Sequence, residues 1–384
     1  MRIAMLGVKG VPTIGGIARY VEEVGSRLVE RGHEVTVYCR PHFMEGEGDY
    51  RGMRRIVTGG LRGKHLDALT HTFTATMHAL RQDYDIAHIH GSAPGVIAPI
   101  IRLLSRQRVL LTLHGLDWRA AKWGSVASTL VRFGGRVAAA GAHSRTAVSQ
   151  SLQHEYCETF PGSVAVAQTG VNFPELAEAE EITDLGLAPG GYAFCAARLM
   201  PEKGIHYLVD AFEQIDTDKT LVIAGDSPYE DAYSEALLAR ASEKVRFVGY
   251  VTGRLLAELY SNACVYVQPS EIEGLSVSVL EALSYGRCVL ASDIAPNVEA
   301  LDGCGYTFRS GDVADLRDTL AELLEAPELV AEQFELTRRY IREKRNWDRT
   351  VDAYETLYQE LLAGRGVLSA APVAVSSCAG SNRS

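Results

Sequence analysis

Two glutamates, Glu273 and Glu281, lie eight positions apart in the run Pro269-Ser270-Glu271-Ile272-Glu273-Gly274-Leu275-Ser276 and its continuation Val279-Leu280-Glu281-Ala282. A carboxylate accepts hydrogen bonds from hydroxyls. A helix start between the two carboxylates supplies unpaired backbone N–H groups and the positive end of a dipole, which suit an anion. A carboxylate repels phosphate, so Glu273 suits sugar hydroxyls while the turn takes the phosphate. Phosphate and hydroxyls recognised side by side describe a nucleotide-sugar site. The same spacing also serves plain dipole complementation at a helix start, so its weight depends on its surroundings.

Three further groups have matching chemistry. In Arg198-Leu199-Met200-Pro201-Glu202-Lys203-Gly204 two cations five residues apart flank a proline turn. Arginine offers a fork to phosphate oxygens and lysine a point charge, a pair able to neutralise a leaving diphosphate. Gly15-Gly16 opens a helix early in the chain, where backbone can approach a phosphate or sugar closely. Its spacing from Gly7 and Gly10 does not make Gly-x-Gly-x-x-Gly, and Arg40, not an acid, ends the second strand, which argues against NAD. His114 in Thr112-Leu113-His114-Gly115-Leu116-Asp117-Trp118 stands at a strand end, suited to hydrogen-bonding the transferred sugar or diphosphate; His88 and His90 end the neighbouring strand. No cluster has metal-ligand spacing, so no bound metal is expected. The chain has no serine elbow for a hydrolase triad.

These residues need elements to hold them. Strand signals at 3–7, 34–39, 85–90, 109–113 and 146–149 alternate with helix signals at 17–31, 71–80, 96–104 and 126–139 and a helix running through Tyr156. Repeated β-α-β of this kind is a doubly wound parallel sheet. The pattern lapses over 174–191 and restarts with strands at 193–197, 221–224, 245–248, 265–267 and 289–291. The expectation is an α/β chain of two Rossmann-like domains, 1–170 and 171–347, facing across a cleft and joined by a linker near 170–190. A helix over 348–363 falls after the second domain is complete and packs back onto the first; 364–384 is expected to be a disordered tail.

At 384 residues the chain exceeds the size of one core. Its start reads as a first strand rather than a signal peptide, and no apolar run reaches the ~18 residues of a membrane span. Seven scattered cysteines without Cys-x-x-Cys fit a reducing cytosol. The net charge of −10 divides into +7 over residues 1–170 and −17 over the rest. That total argues against nucleic acid, whereas the basic first half suits anionic lipid or a pyrophosphate-linked acceptor. Its densest run, Arg51, Arg54, Arg55, Arg62 and Lys64, is read as a solvated loop, with a membrane patch as the other reading.

In this order, Gly15-Gly16, His114, Gly170-Val171-Asn172, Arg198/Lys203, Gly225-Asp226, Phe247-x-Gly249 and Pro269-Ser270-x-x-Glu273-Gly274 through Glu281-Ala282 resemble the family 4 retaining glycosyltransferases, across roughly residues 1 to 363. The segment from His114 to Trp118 with Lys122-Trp123 is similar to a subgroup making bacterial surface polysaccharides. The resemblance implies the two-Rossmann glycosyltransferase B fold, with the first domain for the acceptor and the second for the nucleotide-sugar donor. It implies His114, Arg198, Lys203 and Glu273 as catalytic groups. It also implies donor contacts from Gly15, Gly16, Gly249, Tyr250, Gly274, Leu275, Ser276 and Glu281, the last on the ribose. Leu275-Ser276 stand where the family often has Phe-Gly. No bound cofactor or metal is implied; the donor is a UDP- or GDP-sugar and the acceptor a glycan or lipid-linked hydroxyl. A cytoplasmic protein with peripheral contact at the inner membrane face follows. A nucleotide-sugar epimerase, or a non-catalytic nucleotide-binding module of an assembly complex, are the other readings.

Overall fold

The computed structural model describes residues 1–364 except 14, 45, 62–66, 116–124 and 228–231, and the fold below refers to those residues. The chain divides into two compact units. Of the described residues, the first comprises Met1–Gly170 and the chain from Trp347 to Gly364; the second comprises Val171–Asn346.

In the first unit β1 (Arg2–Leu6), α1 (Gly16–Glu30) and β2 (Glu34–Cys39) open the series. A short hairpin, β3 (Gly48–Tyr50) and β4 (Met53–Val57), follows, then α2 (Asp67–Ala79), β5 (Ile86–His90), α3 (Ala98–Leu104) and β6 (Arg108–Leu113). The series ends with α4 (Ser125–Gly141), β7 (Ser144–Ala147), α5 (Gln150–Thr159) and β8 (Ala165–Val166). The sheet order is β3-β4-β2-β1-β5-β6-β7-β8, parallel throughout except for β3 against β4. Strands buried on both faces read as continuous apolar runs, which is why β1 and β6 were legible and the charged β3–β4 hairpin was not. The described part of the basic run, Arg51 to Arg55, is accordingly a hairpin and not a loop. Arg51 makes the hairpin turn at φ 48° and reaches Glu22, while Arg55 on β4 donates to the carbonyls of Gly48 and Val11. Arg62 and Lys64 lie outside the described residues.

The second unit runs α6 (Glu181–Asp184), β9 (Tyr192–Ala196), α7 (Ile205–Glu213), β10 (Thr220–Ala224), α8 (Ala232–Leu238), β11 (Val245–Phe247) and α9 (Gly253–Asn262). It continues with β12 (Val265–Gln268), α10 (Val277–Ser284), β13 (Cys288–Ser292), α11 (Ala295–Leu301), β14 (Tyr306–Phe308), α12 (Val313–Glu325) and α13 (Pro327–Lys344). Its all-parallel sheet has the order β11-β10-β9-β12-β13-β14. Counted from its own first strand this is 3-2-1-4-5-6, the doubly wound order whose strand sequence reverses between β9 and β12. The first unit reverses in the same way between β1 and β5. Ligands of such sheets bind outside the carboxyl ends of the strands at that reversal.

Two segments differ from the sequence reading. Residues 174–191 are not a bare linker but a strap on α9. The fully buried Glu258 accepts the backbone N–H of Glu180 (2.8 Å) and Ile182 (3.1 Å), and Asn262 donates to the Ala177 carbonyl. The seventh strand of the first sheet is Ser144–Ala147, two residues earlier than expected, because Ser149 leaves the strand to cap α5 through the N–H of Leu152.

The last helix, α14 (Trp347–Leu362), packs along α1. Arg31 of α1 bridges Asp352 and Glu355 at 2.5 and 2.7 Å, and the Tyr20 and Tyr354 hydroxyls meet at 2.8 Å. The 364–384 tail lies outside the described residues beyond Gly364. No described helix is long and apolar enough to cross a membrane.

Candidate active site

Both sides of the β9/β12 reversal carry residues singled out from sequence. After β9 the chain passes exposed Arg198 and makes a single 3-10 turn, Pro201–Lys203, ending at Gly204. Gly204 has φ 65°, and a Cβ there would lie 2.0 Å from the Pro269 carbonyl oxygen. A side chain is thus excluded twice, by the left-handed backbone and by contact. The close approach lets the loop after β12 lie on the loop after β9, with the Glu271 N–H on the Glu202 carbonyl at 3.0 Å.

The result is an ion pair across seventy residues of chain: Lys203 Nζ lies 2.6 Å from Glu273 Oε1, both side chains little exposed. The same oxygen accepts from Ser270 Oγ at 2.8 Å and Gln268 Nε2 at 3.2 Å. Gln268 is itself held through Oε1 by the hydroxyls of Tyr266 (2.8 Å) and Ser278 (2.9 Å). Among the described residues all three bonds to Glu273 fall on Oε1, and Oε2 has no described partner. Ser270 stood in the sequence motif without an assigned role, and Gln268, at the end of the strand before it, was not singled out; its nearness to the motif was the available signal.

Helix α10 begins just past this carboxylate, and its N-cap side chain does not cap it. Ser276 Oγ turns instead to Asn297, whose amide is anchored on Ser292 Oγ at 2.8 Å. The first-turn N–H groups keep no side-chain partner from the N-cap and can serve an anion. One turn on, Glu281 accepts from the Tyr260 hydroxyl at 3.3 Å, and Tyr260 stacks on Tyr285. Leu275 is buried beneath the turn. Gly225, at φ 145°, donates its N–H to the Gly249 carbonyl at 2.8 Å and joins the loops after β10 and β11. Next to it Tyr250 is exposed. The second unit thus gathers Arg198, Lys203, Glu273, Gly274, Leu275, Ser276 and Glu281 around one switch point, with Gly249 and Tyr250 on the flanking loop.

In the first unit Gly15 (φ 137°) and Gly16 open α1 with no atom within 4 Å of where either Cβ would stand. His114 follows β6 and His90 ends β5; His114 Nε2 and His90 Nδ1 are 3.1 Å apart. Tyr20 of α1 sets its ring edge-on to His114 with centroids 4.9 Å apart. Below lies a sealed polar network. His88 bonds the Tyr358 hydroxyl (2.7 Å) and Thr112 Oγ1 (2.6 Å), and Thr112 also meets Thr146 (2.6 Å) and Tyr354 (3.0 Å). Burial drives the pKa of His88 and His114 down to about 3, and that of His90 well below its usual value, so all three are neutral near pH 7. His114 is therefore a hydrogen-bonding group rather than a cationic acid. Tyr20, Tyr354 and Tyr358 gave no sequence signal, because their partners lie hundreds of residues away. The motif residues Leu116 to Trp118 and Lys122-Trp123 lie outside the described residues.

Residues 14–173 match a family described as Glycosyltransferase Family 4, and 191–326 match Glycosyl transferases group 1. A GDP-mannose-dependent alpha-(1-6)-phosphatidylinositol monomannoside mannosyltransferase of Mycolicibacterium smegmatis is 28% identical, over 92% of this chain and 96% of its own length. Sucrose-phosphate synthase of Thermosynechococcus elongatus shares the fold with a TM-score of 0.82, at 20% identity over 94% of this chain and 99% of that one. Anabaena HepE, solved in complex with UDP-glucose, gives 0.76 at 17% identity, over 94% of this chain and all of its own.

Proposed function

We propose that this chain, which belongs to the family 4 glycosyltransferases and has the glycosyltransferase B fold, moves a sugar from a UDP- or GDP-sugar to a hydroxyl of a glycan or lipid-linked acceptor, with retention of anomeric configuration. The observation that carries the reading is the Lys203–Glu273 pair beside exposed Arg198 and the uncapped start of α10. A diphosphate needs cations and N–H groups, and a sugar needs a carboxylate acceptor. The switch point of the second unit holds all of these within one loop cluster. That similar proteins carry GDP-mannose in their name or UDP-glucose in their structure supports a nucleotide-sugar donor.

In this reading Arg198 and Lys203 bind the diphosphate and stabilise the charge that grows as the glycosidic bond breaks. The backbone amides of Gly274, Leu275 and Ser276 hold phosphate and sugar, Glu273 Oε2 takes sugar hydroxyls, and Glu281 takes the ribose. Tyr250 and Gly249 flank the base, and Gly15 and Gly16 bring backbone to the phosphates. His114 gives a neutral hydrogen bond to the transferred sugar. The acceptor hydroxyl attacks the anomeric carbon on the face the diphosphate leaves, and a departing phosphate oxygen takes its proton. The two cations supply the charge a divalent ion would otherwise bring, so transfer is expected to persist in EDTA. The first unit binds the acceptor, and its excess of basic residues suits peripheral contact with an anionic inner membrane face.

The test is a thermal-shift panel of UDP, GDP, dTDP, ADP and their sugar conjugates, with NAD as control. A ligand that binds only the folded state at a hundredfold excess over its Kd adds ~2.7 kcal/mol of stability. One nucleotide and its sugar should shift the melting temperature. A shift with NAD alone, or with none of them, would overturn the reading.

A further inference from the structure

His90 lies fully buried between His88 and His114. Its ring is 4.1 Å from that of His88 and 5.3 Å from that of His114, centroid to centroid. Its Nδ1 faces His114 Nε2 at 3.1 Å, and its Nε2 is sealed without a partner among the described residues. That stranded nitrogen bears on which way the hydrogen bond between the rings runs. Two neutral imidazoles can share one proton in two ways. If His114 donates from Nε2, His90 must carry its own proton on Nε2, which strands an N–H in the core. If His90 donates from Nδ1, its Nε2 is a bare lone pair, and no N–H is stranded. Stranded buried N–H groups are rare, and stranded acceptors are less so. The second arrangement is therefore favoured, and it leaves the His114 proton on Nδ1. His114 is only partly buried, and its Nδ1 makes no bond to a described residue.

We propose that His90 is a positioning residue: it donates from Nδ1 to His114 Nε2 and so holds His114 as the Nδ1–H tautomer, which presents one outward donor to a substrate oxygen. Burial keeps both rings uncharged near neutral pH, so the arrangement is a tautomer lock and not a proton store. His88 supports it from below. Both of its nitrogens are used, on Tyr358 and Thr112, and its ring forms the floor on which His90 rests. The C-terminal helix α14 thereby helps to hold His114 through Tyr358, His88 and His90. That the outward N–H meets an oxygen of a sugar nucleotide rests on the function proposed above; the tautomer itself does not.

The experiment reads the tautomer directly. Histidine ring nitrogens of the full chain, labelled with nitrogen-15, are observed at pH 7.5 by long-range proton–nitrogen correlation, with His90→Phe and His114→Gln used for assignment. The expected result is His114 protonated on Nδ1 and bare on Nε2, with His90 also protonated on Nδ1. In His90→Phe the lock is gone, and the His114 signals should move toward the Nε2–H form. In steady-state assays with the donor identified by thermal shift, His90→Phe should lower kcat about tenfold, the worth of one neutral hydrogen bond, with the donor KM little changed. His90→Asn, whose side-chain amide nitrogen overlays Nδ1, should recover most of the loss. Wild-type His114 protonated on Nε2 would overturn the proposal, whatever the substrate proves to be. So would a folded His90→Phe that keeps both the wild-type His114 signals and full kcat.

Discussion

At the switch point of the first unit the polar side chains are neutral and, apart from the partly buried His114, sealed. His88, Thr112, Thr146, Tyr20, Tyr354 and Tyr358 form one hydrogen-bonded network, and the bonded pair His90–His114 packs against it through the His88 ring. At that of the second unit a lysine and a glutamate share an ion pair that keeps some contact with water, beside an exposed arginine. The physical reason lies in what each group can do when desolvated. Histidine and tyrosine can be buried uncharged, at the cost of a shifted pKa, and then need only hydrogen-bond partners. Lysine and glutamate are held charged where a partner and nearby solvent offset desolvation. On the proposed reading the first unit is an orienting scaffold, and the second a site that can meet charge.

Four experiments would break or sharpen this contrast. The largest effect is expected from Lys203→Ala and Glu273→Ala. Each should lower kcat by about a hundred- to a thousandfold, the range seen when a group stabilising transition-state charge is removed, while the protein stays folded. Near-normal turnover in either variant would show that the charged cluster is structural. Gly204→Ala comes next. The left-handed backbone costs roughly 1–2 kcal/mol for any residue with a Cβ, and the contact with Pro269 must also open. Because the displaced loop carries Lys203, both the melting temperature and transfer should fall, transfer by on the order of tenfold or more.

Acidification separates the units. The histidines pushed far down, His71 (about 4), His88 and His114 (about 3) and His90, all belong to the first unit, whereas in the second burial lowers His206 to a lesser extent. Their folded values lie below the ordinary 6.5, so the unfolded chain binds protons more readily. The stability they contribute is complete above pH 6.5 and is lost as pH falls toward 3. Hydrogen-exchange protection, corrected for intrinsic rates, should therefore fade in β5 and β6 before β9 and β12 as pH drops from 7 to 5. Equal fading would deny the contrast. The smallest effect is expected from Tyr358→Phe, which strands His88 Nδ1 in the core. A loss of about 1–3 kcal/mol in urea unfolding is expected, with donor binding in the second unit unchanged.

Much of the second unit's candidate site was legible because it is local. Glu273, Gly274, Ser276 and Glu281 sit within nine residues of one strand–turn–helix, and Arg198 and Lys203 flank one turn. The apolar strands β1, β2, β5, β6, β9, β10, β12 and β13 announced a doubly wound α/β fold by their continuous buried character. The β3–β4 hairpin hid because its charges mask the strand period, and the strap over α9 because Glu258, which anchors it, lies some eighty residues downstream.

The sequence by itself determined the residue types, the local spacing of each motif and the alternation that builds two parallel sheets. These depend on backbone periods and on neighbours in the chain. Only the tertiary structure decided that Lys203 meets Glu273, that both carboxylate-loop bonds and the cation fall on one oxygen, and that His88, His90 and His114 form a stack tied to Tyr354 and Tyr358. The Lys203–Glu273 pair and the ties to Tyr354 and Tyr358 join positions separated by tens to hundreds of residues. Their charge state and direction follow from the water that packing excludes, and no local pattern encodes that.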